Sequence, residues 1–317
     1  MTYDYSSIWF YTFDCLGRPV TAIPPGGNTY FIEELTMAVS GAAGAAAIVA
    51  AKYGLKVLAV GGVGEDLMGD WVLKRLGEFG IDTAMMKRCP GVGTSSSIVT
   101  TRPDGQRPAL HMKGATGAFE ILPEDLDQVL DAAIIHIGGT GLMDRMDGPR
   151  SADLMREAKR RGRTTTLDVF AASQDDMRKV ACLLPYTDYF IPSIEEAQAL
   201  SGLNGKEEAG AYFNDLVVAC TVMTMGADGA YYHHADGTRF HMPAFEIDVV
   251  CTCGCGDAFN AGFAAALLKG YNAEQSVRFA QASSALNATG LGSQAGIVDF
   301  DATLAFVDRM PTKRQAA

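Results

Sequence analysis

Short runs of β-branched and aromatic residues alternate along the chain with segments whose apolar positions recur at helical spacing. SIWFYTF, VLAVGGV, AIIHIG, TTTLDV, YFIPS and ACTVMTM have the length and composition of strands. Between them, residues 66–79 and 151–161 hold Leu, Met or Val at helical intervals and place charge on the opposite face, as amphipathic helices do. Such alternation implies a parallel sheet covered by helices on both sides, with ligands at the carboxyl ends of the strands. The expected fold class is α/β, a doubly wound and mostly parallel sheet, in one domain over residues 1–317.

Two stretches break the alternation. Residues 94–112, TSSSIVTTRPDGQRPALHM, read as two strands joined at Pro103, Asp104 and Gly105, with no helix between them. Residues 16–39 are irregular, with Pro24, Pro25, Gly26 and Gly27 ahead of the extended TYFIEEL. If the two stretches, approximately 16–39 and 94–114, pair with each other, they form a small β lid at the sheet edge. Otherwise they are surface hairpins.

Composition narrows the classes of function. With 48% hydrophobic and 20% charged residues in 317, the chain has enough apolar material for a sizeable core. A net charge of −11 argues against nucleic acid as a partner, because phosphate-backbone binding needs clustered Lys and Arg. The most apolar stretch, residues 42–51, is far short of the roughly 20 residues that cross a bilayer, so no membrane partner is expected. The first twenty residues carry Asp4 and Asp14 and do not read as a secretion signal; a cytoplasmic location is expected. Seven scattered cysteines read as reduced thiols that pack as small hydrophobes.

The segment CTCGCGDAF, Cys251 to Phe259, holds the richest chemistry. Thiols two residues apart in a strand are separated by roughly 6.5 Å, whereas sulfurs around one zinc lie within ~4 Å, so Cys251, Cys253 and Cys255 do not form a recurrent zinc pattern. An anion site fits better. The strand-like FEIDVV leads into Gly254, Cys255 and Gly256, and a helix begins near Asp257, passes Phe259, Phe263 and Leu267, and stops at Gly270. Successive backbone N–H groups at a helix start make a concave donor cluster that the helix dipole reinforces. Asp257 then stands where a hydroxyl would approach a bound phosphoryl group and could accept its proton. The alternative reading makes Asp257 an N-cap and the glycines turn residues.

This segment resembles the second signature of the ribokinase (PfkB) family of sugar and nucleoside kinases, D-T-x-G-A-G-D-A-F. The resemblance implies a ribokinase-like fold, an anion hole at Gly254, Cys255 and Gly256, and Asp257 as catalytic base. It runs collinearly along nearly the whole chain. Asp14 follows the first strand as the family's sugar-contacting aspartate does, and SGAAGAAAIVAAKYG is similar to the first signature, with Gly41 as hinge and Ala45 at the position of a sugar-contacting Asn. VGGVGEDLMGDWVLKRLGEFGID is similar to the family's strand, turn and helix, and Asp168 stands at its acidic strand end. Glu196 in SIEEAQAL falls in the NxxE motif and is implied to help hold Mg²⁺ through water, while Thr224 and Gly226 are implied to contact the phosphates of ATP. Asn287 and Gly290 would border the adenine. Pairing of lid edges between two subunits would give a homodimer.

Departures from the pattern bear on substrate more than on reaction type. Cys251 replaces an Asp that helps form a monovalent-cation site, which speaks against potassium activation; Cys255 replaces Ala and Ser193 replaces the Asn of NxxE. The expected activity is ATP-dependent phosphorylation of a monosaccharide hydroxyl. Arg102, Arg107 and Lys113 in the lid are read first as solvated surface charges and otherwise as groups that meet an acidic acceptor, and a nucleoside or a sugar acid is the alternative substrate within the family. A nonenzymatic sugar or nucleotide sensor would account for the changes at Cys251, Ala45 and Ser193, but not for a retained Asp257. A nicotinamide oxidoreductase lacks its third glycine, since Leu67 follows Gly62 and Gly64 at that place, and no GxxxxGK[ST] loop is present.

Overall fold

The computed structural model describes residues 1–313. Thirteen strands occur among them: β1 (Tyr3–Trp9), β2 (Thr12–Arg18), β3 (Glu34–Ser40), β4 (Val57–Gly64), β5 (Asp82–Cys89), β6 (Ser96–Thr100), β7 (Ala109–Met112), β8 (Ala132–Thr140), β9 (Thr164–Val169), β10 (Tyr189–Phe190), β11 (Cys220–Thr224), β12 (Ala230–His234) and β13 (Arg239–Met242). Nine of them form one sheet in the order β13-β12-β11-β10-β9-β8-β1-β4-β5. All its pairings are parallel except β11 with β12 and β12 with β13. The expected α/β sheet is therefore present. Every residue of β4 is buried, as a central parallel strand covered on both faces requires.

The other four strands make a second sheet, β3-β2-β6-β7. β3, β6 and β7 come from the two stretches that interrupt the β/α alternation, whereas β2 begins earlier, at Thr12, at the end of the SIWFYTF run. β2 pairs antiparallel with β3 and parallel with β6, and β6 pairs antiparallel with β7 across the Pro103–Gly105 region. Its two faces differ. Leu16, Ala38 and Val99 pack inward with Cys251 and Cys253, whereas Leu35, Met37, Ile98 and Leu110 are exposed.

Four sequence expectations need correction. SIWFYTF is not one strand: the chain turns at Trp9, whose φ is +107°, and leaves the main sheet to begin β2. YFIPS contributes only Tyr189 and Phe190, because Pro192 has no N–H to continue a ladder. FEIDVV forms no regular strand and has a single bridge, Phe245 to Thr312. In the TYFIEEL stretch, β3 starts only at Glu34.

The helix Ala42–Lys52 is nearly all small or β-branched residues and is buried along most of its length, which lets it pass between β1 and the helix Cys255–Leu268. It opens at Gly41, whose φ of 78° and ψ of 150° lie in a region essentially reserved for glycine. A Cβ there would also collide with the Phe10 carbonyl oxygen. Gly41→Ala should therefore destabilise the protein by roughly 1–3 kcal/mol, read by urea denaturation; unchanged stability would mean that this joint is not fixed.

Candidate active site

The carboxyl ends of β1, β8, β9 and β11 open onto a cleft of about 320 Å³ that also faces the second sheet. Its lining includes Asp14, Gly41, Arg107, Asp168, Glu196, Thr224, Gly254, Gly256 and Asp257. Residues spread over the chain from 14 to 257 thus meet in one place. Phe10, Ser40 and Ser293 also line it, and none of the three was singled out from the sequence. Ser40 had a signal, as the residue before a helix-opening glycine; Ser293 had none, since its hydroxyl partner Ser40 lies 253 positions away.

The Gly-rich turn ahead of the helix Cys255–Leu268 is shaped by Gly254. It caps the helix Cys255–Leu268 in the left-handed region, at φ 74° and ψ 9°, and a Cβ would come within 2.7 Å of the Ser293 Cβ. The helix begins at Cys255, so Asp257 lies inside its first turn and is not the N-cap. Amides of a first helical turn have no carbonyl four residues back, which leaves those of Gly256 and Asp257 at the positive end of the dipole. Cys255 differs: its N–H closes a turn on the Thr252 oxygen at 3.4 Å, and its thiol accepts from Asn287 Nδ2 at 3.4 Å, away from the cleft lining.

Asn287 is wholly buried and donates to the Cys253 carbonyl at 2.6 Å, so it braces the Gly-rich turn from behind. Gly290 is absent from the cleft lining and packs on Ala295, and Gly226 sits at φ 53° in the exposed turn after β11. Ala45 is fully buried within its helix and does not reach the cleft, because the helix turns that position towards the core.

Electrostatics in the cleft are one-sided. Four carboxylates, Asp14, Asp168, Glu196 and Asp257, line it beside one cation, Arg107. Burial pushes the Asp257 carboxyl up to about 6, with Arg107 opposing the rise and Asp14 and Glu196 adding to it. Asp168 is raised well above the ordinary carboxylate range by burial and then by Glu196 and Asp257. Glu196 is raised by burial, although the Ser193 N–H and Oγ–H donate to its Oε2 at 2.9 and 2.8 Å in a capping box. Asp14 accepts from Thr12 Oγ1 at 2.9 Å and stands on the inward face of β2. The next residues in that cross-strand row, Ser97 and His111, are 3.1 Å apart, and the His111 ring meets Phe10 edge-on.

Among the described residues no cluster of three or more Cys, His, Asp or Glu side chains is arranged to hold a metal ion. Cys251 and Cys253 are buried, and the Thr101 hydroxyl lies 3.6 Å from the Cys251 sulfur. No helix among the described residues is long and apolar enough to cross a membrane.

Comparison with known proteins agrees with this fold. The profile of the pfkB family carbohydrate kinases matches residues 19–299. A ribokinase from Haemophilus influenzae is 26% identical over 291 residues, covering 89% of this chain and 91% of that one. The structure of Arabidopsis thaliana ribokinase complexed with ribose and ATP superposes with a TM-score of 0.82 at 22% identity, over 97% of this chain and 99% of that one. A putative ribokinase II from E. coli, in complex with ATP and Mg²⁺, gives a TM-score of 0.82 at 22% identity, over 96% and 99% of the two chains.

A carboxyl held near 6 rather than at 3.8 stores an unfavourable charge above pH 6. The difference corresponds to up to roughly 3 kcal/mol, absent below the unfolded value, growing between pH 3.8 and about 6, and constant above. Asp257→Asn should raise Tm by several degrees at pH 7.5 and leave it nearly unchanged at pH 4, as measured by scanning calorimetry; a lower Tm at pH 7.5 would contradict the strained charge.

Proposed function

The chain belongs to the pfkB family of carbohydrate kinases, and from that premise we propose that it transfers the γ-phosphoryl group of ATP to a hydroxyl of a monosaccharide, with Asp257 as the base. The observation that carries this reading is the joint position of Asp257 and the Gly254–Gly256 turn on one cleft wall, at the start of one helix. A hydroxyl placed against the Asp257 carboxylate loses its proton to it as the oxygen attacks phosphorus, which supplies a factor of about 10² to 10⁴. A carboxyl near 6 is mostly ionised at neutral pH, yet basic enough to take that proton.

The sugar lies, in this reading, between Asp14 and Gly41 on one side and Asp257 on the other. Asp14 accepts hydrogen bonds from sugar hydroxyls, and Gly41, lacking a side chain, leaves the Phe10 and Ser40 wall close to the ligand. Thr224 offers its hydroxyl and Gly226 a backbone free of side-chain bulk to the nucleotide phosphates, while Gly290 is placed on the adenine side. Asp168 and Glu196 are crowded carboxylates without a cation partner among the described residues, and their hard oxygens suit Mg²⁺ held through water. When bound, Mg²⁺ offsets negative charge on the phosphates.

The second sheet, in this reading, is the lid over the acceptor. Its inner face carries Asp14, Ser97 and His111 towards the cleft. Its outer face is apolar, with a cross-strand row of Met37, Cys15, Ile98 and Leu110 flanked by Leu35 and Met112. A second copy that covers this face would remove it from water, and a homodimer through the lid sheets follows.

Two measurements test these assignments. ADP release should be seen with ATP, Mg²⁺ and one member of a panel of D-ribose, D-fructose, 2-dehydro-3-deoxygluconate, fructose 6-phosphate and adenosine. Asp257→Asn should abolish it with ATP affinity kept, and the wild-type kcat/KM should fall as pH drops through about 6, where Asp257 takes up a proton. An active Asn variant refutes the role of the base. Sedimentation should give a dimer for the wild type and a monomer for Ile98→Glu with Leu110→Glu; a wild-type monomer refutes the assembly.

A further inference from the structure

Cys251 and Cys253 place two thiols at a structural joint, and the proposed reaction gives them no task. Thr252, between them, fastens the loop that joins β6 to β7: its N–H and Oγ–H both donate to the Gly105 carbonyl, at 3.3 and 3.2 Å. Gly105 has φ +83°, and a Cβ there would meet Val249 Cγ1 at 2.7 Å, so glycine is what lets this loop tip settle on the segment. On the other side Cys253 leads directly into Gly254, and its carbonyl is held by Asn287. The two thiols therefore flank the contact between the second sheet's loop and the turn that opens the helix Cys255–Leu268.

The backbone bends here so that the side chains converge. An extended strand would carry alternate residues roughly 6.5 Å apart. Instead the Cys253 N–H donates to the Cys251 sulfur at 3.4 Å, and both residues belong to one buried cluster with Leu16, Ala38 and Val99. Contact with the Cys253 thiol lowers Cys251 below the usual thiol range, and the same contact, with burial, raises Cys253. The two sulfurs share one proton, and Arg107 on the same cleft wall favours the negative charge that results. Cys255 is different, since burial raises it to about 11 and its sulfur accepts from Asn287 Nδ2 at 3.4 Å. Access is also one-sided: Cys251 is fully enclosed, whereas Cys253 lines the cleft, so a small oxidant meets Cys253 first.

We propose that Cys251 and Cys253 form a reversible disulfide that releases the β6–β7 loop from the main body and stops phosphoryl transfer. The effect on transfer rests on the kinase reading given above; the bond itself does not. The oxidant is a hydroperoxide, with hydrogen peroxide the smallest. The shared proton passes to the Cys251 sulfur, the Cys253 thiolate attacks one peroxide oxygen, and the O–O bond breaks to leave a sulfenic acid and hydroxide. The Cys251 sulfur then displaces the sulfenic oxygen, which departs as water with the Cys251 proton. Both sulfurs are oxidised, and the peroxide is reduced to one water and one hydroxide. The S–S bond closes a small ring around Thr252. Curled into that ring, Thr252 no longer keeps both donors on the Gly105 carbonyl, and Cys253 moves away from the Ser293 hydroxyl, 3.7 Å from its sulfur, and draws Gly254 with it. A dithiol reverses the change by exchange.

Micromolar hydrogen peroxide should remove two hydrogens from the mass of the wild-type chain, and dithiothreitol should restore them. In the tryptic peptide 240–269, fragmentation should place the bridge between Cys251 and Cys253 and leave Cys255 free for alkylation. Amide exchange across residues 102–107 should quicken in the oxidised protein. ADP release with the accepted sugar should fall by about 10²-fold and return with dithiothreitol, because the displaced amides no longer face the phosphoryl group. Cys251→Ser and Cys253→Ser should each keep, under peroxide, the rate they show without it; the mass and exchange measurements on the wild type need neither variant to fold. A gain of oxygen in place of the loss of hydrogens, a bridge that includes Cys255, unchanged exchange in 102–107, or full ADP release by the bridged protein overturns the proposal. Should the bridge form and exchange quicken while the reduced protein phosphorylates no acceptor, the kinase reading fails and the disulfide that frees the loop stands.

Discussion

A carboxylate that is to take a proton from an alcohol near neutral pH cannot lie freely in water, where its ordinary value near 3.8 makes it a feeble base. In the proposed reaction Asp257 meets this constraint by lying in a cleft that already holds Asp14, Asp168 and Glu196. That arrangement is unfavourable for the fold, and the surrounding structure has to hold it in place. The helix Cys255–Leu268 places Asp257 in its first turn, near the positive end of the dipole; Gly254 turns the chain in front of it; and Asn287 fastens the Cys253 carbonyl from behind. Lys52, pulled down from its usual value by burial, donates to the Gln294 and Ile297 carbonyls at 2.9 and 2.7 Å and ties the loop behind Gly254 to the helix that opens at Gly41.

These supports explain why the Cys-rich segment reads ambiguously. Alternate cysteines resemble a ligand set when only spacing is considered, but the chain folds them into three different surroundings. Cys251 faces Thr101, Cys253 packs with Leu16 and Val99 beside Ser293, and Cys255 lies against Asn287. Each thiol fills a small space that the loop from the second sheet or the following helices leave around the Gly254–Gly256 turn.

Much of the architecture was legible along the chain. Strands such as VLAVGGV and helices such as 66–79 announce themselves through local patterning, and the order of the glycine and acid motifs locates the cleft wall made by residues 254–257. What escaped was set by geometry between distant segments. Nothing local tells that Ser293 meets Ser40, that Asn287 donates to the Cys253 carbonyl, or that Ala45 is buried within its helix. The break at Trp9 is similar: SIWFYTF has unbroken β character, and only the positive φ at Trp9, with the second sheet waiting to receive β2, divides it. Helix starts were shifted for a related reason, since Gly254 in the left-handed region lets the helix begin two residues before Asp257.

The second sheet uses its two faces for unrelated purposes, and its pairing ties them together. Asp14, Ser97 and His111 alternate along their strands with Cys15, Ile98 and Leu110, and the register binds each set across neighbouring strands. Adding or deleting one residue within β2 or β6 would exchange the sets, turning the polar row to the outside and the greasy row over the cleft. Length changes inside these strands are therefore tolerated only in pairs, whereas the irregular stretch between β2 and β3 can drift in length freely. Parity, more than residue identity, is the rule under which this part of the chain can diverge.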